Sequence, residues 1–238
     1  MIDLYASVSP NVVKIFIALE EMALPYATHV IELMKGANFE PDFVKLSPTA
    51  KVPVIVDQDS AAGRPYTVFE SGAILIYLAE KSGKFLPSDV IGRNETLQWL
   101  MLQMANVGPT FGQSAHFSHF APQDEVAYAR ARFRTIVRNM LDLINNRLGQ
   151  VPYIAGSSYT ITDMAFLPWM QSVDFILGDG ALAEYPNIKV WADGLAARPA
   201  VVRALETTAD LRRRITPRDQ APPEILDRYF GRGAHNKK

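Results

Sequence analysis

Val52-Pro53-Val54-Ile55-Val56 and Tyr66-Thr67-Val68-Phe69-Glu70-Ser71-Gly72 decide the fold of this chain. Each contains a short β-rich apolar run, and the polar loop between them carries Gly63-Arg64-Pro65, which suits a hairpin. Proline cannot donate to a sheet ladder, so Pro53 belongs at the first residue of its strand, and X-Pro is the only peptide bond that adopts cis cheaply. A cis bond here turns the Val52 amide and carbonyl out of the sheet toward a ligand. Glu70-Ser71-Gly72 joins the second strand to a helix. This order can hold an amino acid by both ends, with the Glu70 carboxylate on the ammonium and the helix N-terminus on the carboxylate. Together the two elements read as a clamp for a small peptide.

Upstream, Ile2-Asp3-Leu4-Tyr5 forms a short strand, and Ser9-Pro10 opens a helix with Ser9 at the N-cap and Pro10 at the first helical position. Ile15, Ala18, Leu19 and Met22 fall at helical spacing, and Pro25 ends the run. Residues 28–33 are β-rich, and residues 39–46 form a short irregular helix. A helix runs from Ser71 to Glu80, with Ile74, Leu75 and Leu78 on one side and Gly83 as its stop. The order βαβ then ββα gives one small sheet packed by helices over residues 1–82, followed by a linker at 83–89. From Arg93 onward strand signals vanish, so residues 90–211 are expected to be all-helical. Residues 97–107 are apolar around most of a helix, and residues 125–148 are long and amphipathic. Thr160-Ile161-Thr162-Asp163 is a capping box.

The chain has 238 residues and a net charge of −1, which exerts no general pull on nucleic acid or a membrane. It contains no cysteine, which excludes a disulfide framework, a thiolate zinc site and a protein-thiol redox motif. The N-terminus lacks a basic region followed by a long apolar run, and a cytoplasmic location is expected. Charge is unevenly spread: residues 212–238 carry a net +5 and the remainder −6. With Pro217, Pro222 and Pro223, this basic C-terminal extension reads as a solvated tail.

The strand-initial Val52-Pro53, the segment Glu70-Ser71-Gly72-Ala73-Ile74-Leu75-Ile76-Tyr77-Leu78 and the Thr160–Asp163 box, in this order, resemble the cytosolic glutathione transferases. Ser9-Pro10-Asn11-Val12-Val13-Lys14, Gly112-Gln113, His116-Phe117, His119 and Ala121-Pro122-Gln123 are similar to the bacterial Nu class and its disulfide-bond oxidoreductases. The resemblance implies a thioredoxin-like, glutathione-binding N-terminal domain, a helical domain that shapes the second-substrate pocket, and a homodimer. It implies that Ser9 and Asn11 face the glutathione sulfur, with serine standing where the group has threonine. Arg132 maps onto an arginine that this class uses for a glutathione carboxylate, and Asn38 and Lys51 are placed by analogy near the glycyl or cysteinyl part.

Such chemistry needs a thiolate, and a thiol of pKa about 8.5 is only about 3% ionised at pH 7. Two hydrogen bonds to sulfur plus the positive end of the first helix are of the order needed to lower that pKa by about two units. Asn11 and Ser9 are the candidate donors. Tyr5 competes, but alternation puts it on the face of Asp3, where it packs. Phe111, His116 and His119 are expected to line the second-substrate pocket. The histidines are three residues apart but lack a carboxylate or cysteine at ligand spacing, so no metal is expected. The activity expected is glutathione-dependent reduction of disulfides, and of peroxides, or glutathione transfer. Aryl ether cleavage and a non-enzymatic binding module are the alternatives. A homodimer also follows from Leu97, Leu100, Met101 and Met104, which exceed what one core face can hold.

Overall fold

The computed structural model describes residues 1–124 and 126–232. The N-terminal part is built from β1 (Ile2–Ala6), α1 (Pro10–Met22), β2 (Tyr26–Val30), α2 (Pro41–Leu46), β3 (Val54–Asp57), β4 (Tyr66–Phe69) and α3 (Ser71–Ser82). The sheet order is β2-β1-β3-β4, with β1 parallel to β2 and the other pairs antiparallel. This is the thioredoxin-like mixed sheet. In β1, Ile2, Leu4 and Ala6 point into the core while Asp3 and Tyr5 occupy the opposite face, as the period of two requires.

Helix α1 starts where Ser9 is extended (φ −160°) and its side chain accepts from the Val12 amide, and it stops at Ala23 in the left-handed region (φ 57°). It is buried around nearly its whole circumference because the sheet and α3 cover one side and the helical domain covers the other. Lys14 lies in that stretch and is fully buried with its apolar neighbours. Residues 39–46, expected as one irregular helix, are the end of a 3-10 turn (Ala37–Phe39) followed by α2. The break falls before Pro41, which occupies the first position of α2.

The helical domain follows as α4 (Val90–Leu102), α5 (Gly108–His119), α6 (Ala127–Leu148), α7 (Ile161–Met170), α8 (Val173–Leu177), α9 (Pro186–Ala196) and α10 (Pro199–Arg214). The apolar segment 97–107 is divided between α4 and a π-helical turn, Gln103–Val107, that leads directly into α5. Glu125, expected to open α6, lies outside the described residues. At the start of α7 the capping box is complete. Asp163 accepts from the Thr160 amide at 3.0 Å, the Ile154 amide at 2.9 Å and the Trp191 indole at 3.1 Å.

The C-terminal expectation is corrected. Helix α10 continues to Arg214, and residues 215–232 are not a solvated tail but a strap ending in α11 (Pro223–Phe230). The Thr216 amide donates to Glu32 at 2.9 Å, and Arg228 lies over the Phe39 ring at 3.9 Å. Phe230 stacks on Phe120 at 5.3 Å. The physical reason is the amphipathic face of Ile225, Leu226, Tyr229 and Phe230, which outweighs the basic charge. Residues 233–238 lie outside the described residues. Among the described residues no helix is long and apolar enough to cross a membrane.

Candidate functional site

Three elements of the sheet domain carry the candidate residues: the start of α1, the loop before β3, and the turn from β4 into α3. Ser9 Oγ sits at 3.3 Å from the Val12 amide and accepts from it. Capping uses an oxygen lone pair, so the hydroxyl proton stays available to donate elsewhere. Two residues on, Asn11 is half-buried and its Oδ1 accepts from the Trp169 indole Nε1 at 3.3 Å. An indole nitrogen is only a donor, so this bond fixes which end of the amide is oxygen and leaves both Nδ2 protons on the other side. Ser9 and Asn11 thus each keep a donor, a hydroxyl and an amide, in the first turn at the positive end of α1.

The Val52-Pro53 bond is cis. The loop before it is held by two side chains. Ser47 Oγ bonds both the amide and the carbonyl of Lys51 (3.1 and 2.8 Å), and Asn38 Nδ2 donates to the Ala50 carbonyl at 2.9 Å. Asn38 is therefore buried behind the loop, where it sets the path of Ala50 (φ 53°), and its Oδ1 has no partner among the described residues. Lys51 is exposed.

Glu70 caps α3 with φ 69° and ψ 117°, a conformation that a non-glycine residue adopts at a cost of order 1–3 kcal/mol. Its side chain is exposed and makes no hydrogen bond or ion pair among the described residues. Ser71, by contrast, is buried, with Oγ 3.8 Å from the Met104 sulfur. A Cβ on Gly72 would meet Met104 Cγ at 2.9 Å, so glycine is what lets the π turn close on α3. The same turn supplies Gln103, whose Oε1 accepts from Lys14 Nζ at 2.9 Å. Burial pushes the Lys14 ammonium down to about 7, partly opposed by the charge of Glu70.

The remaining candidates separate. Tyr5 stacks on His29 at 4.9 Å on the opposite face of the sheet from α1. Phe111 was expected to line a pocket; instead it has no exposed surface and packs edge-on against Trp169 at 6.3 Å, supporting the indole from behind. His116 lies 5.6 Å from the Phe230 ring, and burial and the Arg232 charge push its pKa down. His119 stacks on Phe175 and bonds its carbonyl oxygen at 2.6 Å. No cluster of three or more potential metal ligands occurs among the described residues. Arg132 is exposed on α6 and joins none of the hydrogen bonds or ion pairs of the described residues. Of the four residues offered for a dimer face, Leu100 is fully buried and Met104 packs on Gly72; Met101 is exposed. Trp169, Gln103 and Lys14, which bond the helical domain to α1, are residues to which the sequence alone assigns no role. The visible signal for Trp169 was its place at the end of the helix that the capping box opens.

Comparison with known proteins agrees with this architecture. Residues 8–81 match the family model described as glutathione S-transferase, N-terminal domain, and residues 127–194 match glutathione S-transferase, C-terminal domain. The chain is 42% identical over 211 residues to the disulfide-bond oxidoreductase YfcG of Escherichia coli, covering 86% of this chain and 94% of that protein. Among solved structures, a glutathione transferase family member from Pseudomonas fluorescens with two glutathione bound superposes with a TM-score of 0.82 at 39% identity. That match covers 86% of this chain and 92% of the other. A glutathione transferase from Pseudomonas putida, with one glutathione disulfide bound per subunit, gives a TM-score of 0.82 at 35% identity, covering 86% and 90%. The chain belongs to the glutathione S-transferase superfamily and stands close to its bacterial disulfide-bond oxidoreductases.

Proposed function

We propose that this protein is a glutathione-dependent disulfide reductase in which bound glutathione supplies the nucleophile. The observation that carries this reading is the Trp169–Asn11 bond. It turns the Asn11 amide protons away from the indole, in the same first turn of α1 that Ser9 caps. Two donors and a helix terminus are what a sulfur anion requires, and about 2.7 kcal/mol of preference for the anion raises its fraction at pH 7 from about 3% to about 76%. Glu70 takes the ligand ammonium, Ser71 and the α3 amides take the adjoining carboxylate, and the Val52 backbone pairs with the peptide. Lys51 and Arg132 are the remaining cations for its carboxylates.

The chain has no cysteine, so glutathione serves in both steps. The bound thiolate attacks one sulfur of the disulfide, breaks the S–S bond and expels a thiolate, which takes a proton. A second glutathione thiolate attacks the mixed disulfide, giving glutathione disulfide and the second thiol. Relatives with two glutathione molecules or one glutathione disulfide bound support a cleft that holds both partners. A homodimer is part of this proposal, with the exposed Val90, Ile91 and Met101 of α4 as its apolar contact. The test is turnover with a disulfide, a peroxide, an aryl halide and an aryl ether at one glutathione concentration. Disulfide turnover should lead, and halide turnover well above it would leave ordinary conjugation in its place.

A further inference from the structure

Lys14 follows Asn11 by three residues on α1, so the two share a helix face. Its side chain has no exposed surface. An ammonium carries three donors, yet among the described residues Nζ has one hydrogen-bond partner, the neutral Gln103 Oε1 at 2.9 Å. Gln103 opens the π turn, and its own Nε2 is buried without a partner among the described residues. The next residue, Met104, lies against Gly72 and the Ser71 hydroxyl, so the Lys14–Gln103 pair adjoins the segment that opens α3. The charge of Glu70, at the head of that segment, acts on Lys14. Among the described residues, the other elements packed on α1 bring it no further counterion. The inward face of β1 is apolar, and on α3 Tyr77 is bonded to Asp57 and the first charge is Glu80. Asp163 of α7 is held by its own donors, and on α10 Arg198 and Arg203 pair with Glu21 and Glu20 near the end of α1. A buried ammonium with one neutral acceptor is destabilising, and an apolar side chain would pack there with less penalty.

We propose that Lys14 is a positioning residue for glutathione: its amine takes up a proton from solvent when the ligand binds and becomes the buried counterion of the γ-glutamyl α-carboxylate. The proposal rests on the glutathione-dependent reading of the site, in which that carboxylate lies on Ser71 and the α3 amides. In the free protein the charge that draws a proton to Lys14 is that of Glu70, whose side chain is exposed and screened by water. Bound ligand changes this balance. Its ammonium pairs with Glu70, its carboxylate brings a negative charge to the buried side, and the peptide displaces screening water. Burial lowers the Lys14 pKa to about 7, so a nearby anion shifts its protonation near neutral pH.

The test is calorimetric titration of the full chain at pH 7 in PIPES, MOPS and imidazole buffers, whose different ionisation enthalpies report protons taken up on binding. One ligand is S-methylglutathione, which has no thiol to ionise. The other is its analogue with γ-aminobutyryl in place of γ-glutamyl, which keeps the ammonium and lacks the α-carboxylate. For a roughly tenfold preference of the ligand for the protonated amine, S-methylglutathione should bind with uptake of about 0.4 proton per site. Its affinity should fall about fivefold from pH 6 to pH 8, and the analogue should show neither effect. Two variants identify the group. Lys14→Gln keeps a neutral donor for Gln103, and Lys14→Met/Gln103→Leu replaces the pair by apolar side chains. Each should abolish the uptake and weaken S-methylglutathione about tenfold at pH 6, while changing affinity for the analogue by less than about threefold. Binding of S-methylglutathione without uptake, equal uptake with the analogue, or uptake that persists in a folded variant overturns the proposal and leaves the glutathione site standing. If neither variant folds, the full chain's uptake with the two ligands decides. If the full chain does not bind S-methylglutathione, the glutathione-dependent reading falls and this role with it.

Discussion

Trp169 Nε1 donates to Asn11 Oδ1 at 3.3 Å, across 158 positions of sequence and across the domain boundary. The bond makes the helical domain a determinant of how the sheet domain presents its amide donor. If Asn11 stabilises the bound thiolate, Asn11→Ala should raise the thiol pKa of bound glutathione and slow every electrophile by a similar factor. A loss of about 1–3 kcal/mol corresponds to roughly 5- to 150-fold in rate. Trp169→Phe keeps the ring but frees the amide to rotate, so it should move the same pKa in the same direction by less. Thiolate absorbance titrations of the complexes check both, and an unmoved pKa in Asn11→Ala would remove the assignment.

Glu70→Ala isolates the carboxylate, because alanine meets the same positive φ that glutamate does. Leaving the ligand ammonium unpaired should weaken glutathione binding by about 2–5 kcal/mol. Calorimetric titration of the two proteins reads this directly, and equal affinities would place the ammonium elsewhere.

What was legible in the sequence was what a few neighbouring residues determine. Pro53 at the head of β3, Glu70-Ser71 at the turn into α3 and the Thr160–Asp163 box are local, and each stands where its residue types require. Contacts between distant segments were not legible. Nothing near Trp169 announces Asn11, and Phe111 looks like any aromatic of a pocket until α5 is seen to turn it inward behind the indole. The strap is hidden in the sequence for a different reason. Its charge and prolines suggest solvation, yet Ile225, Leu226, Tyr229 and Phe230 repeat at i, i+1, i+4 and i+5, the mark of a helix with one apolar face, which is half-buried at Ile225, Leu226 and Phe230.

Lys14 gives the protein a pH-dependent stability in the alkaline range. Its pKa is lowered from 10.5 to about 7, first by burial, so the native state binds this proton less tightly than the unfolded chain. The group's contribution is fully present above about 10.5 and is lost as pH falls toward 7, so stability should rise from pH 7 to 10. Lys14→Met removes the buried charge and should flatten that rise. Pairing it with Gln103→Leu removes the acceptor that Met would leave unpartnered. Urea unfolding at pH 7, 8.5 and 10 compares the slopes, and a variant as steep as the parent would contradict the assignment.

Asp163 has the opposite sign. Burial raises its carboxyl from 3.8 to about 6, against the pull of the Ile154 and Thr160 amides and the Trp191 indole that bond its oxygens. The native state then holds a proton that the unfolded chain has released between those two values. Stability from this group is complete below about 3.8 and declines as pH rises through 6, by roughly 3 kcal/mol. Asp163→Asn cannot reproduce the acceptor set, because one of its ends is a donor facing donors. It should cost about 3–5 kcal/mol at low pH, and the difference from the parent should narrow between pH 4 and 7 as the parent loses its own contribution. Denaturant unfolding at half-unit intervals across that range measures both curves. A parallel pair, with the gap constant from pH 4 to 7, would mean that Asp163 is ionised throughout and that its bonded donors outweigh its burial.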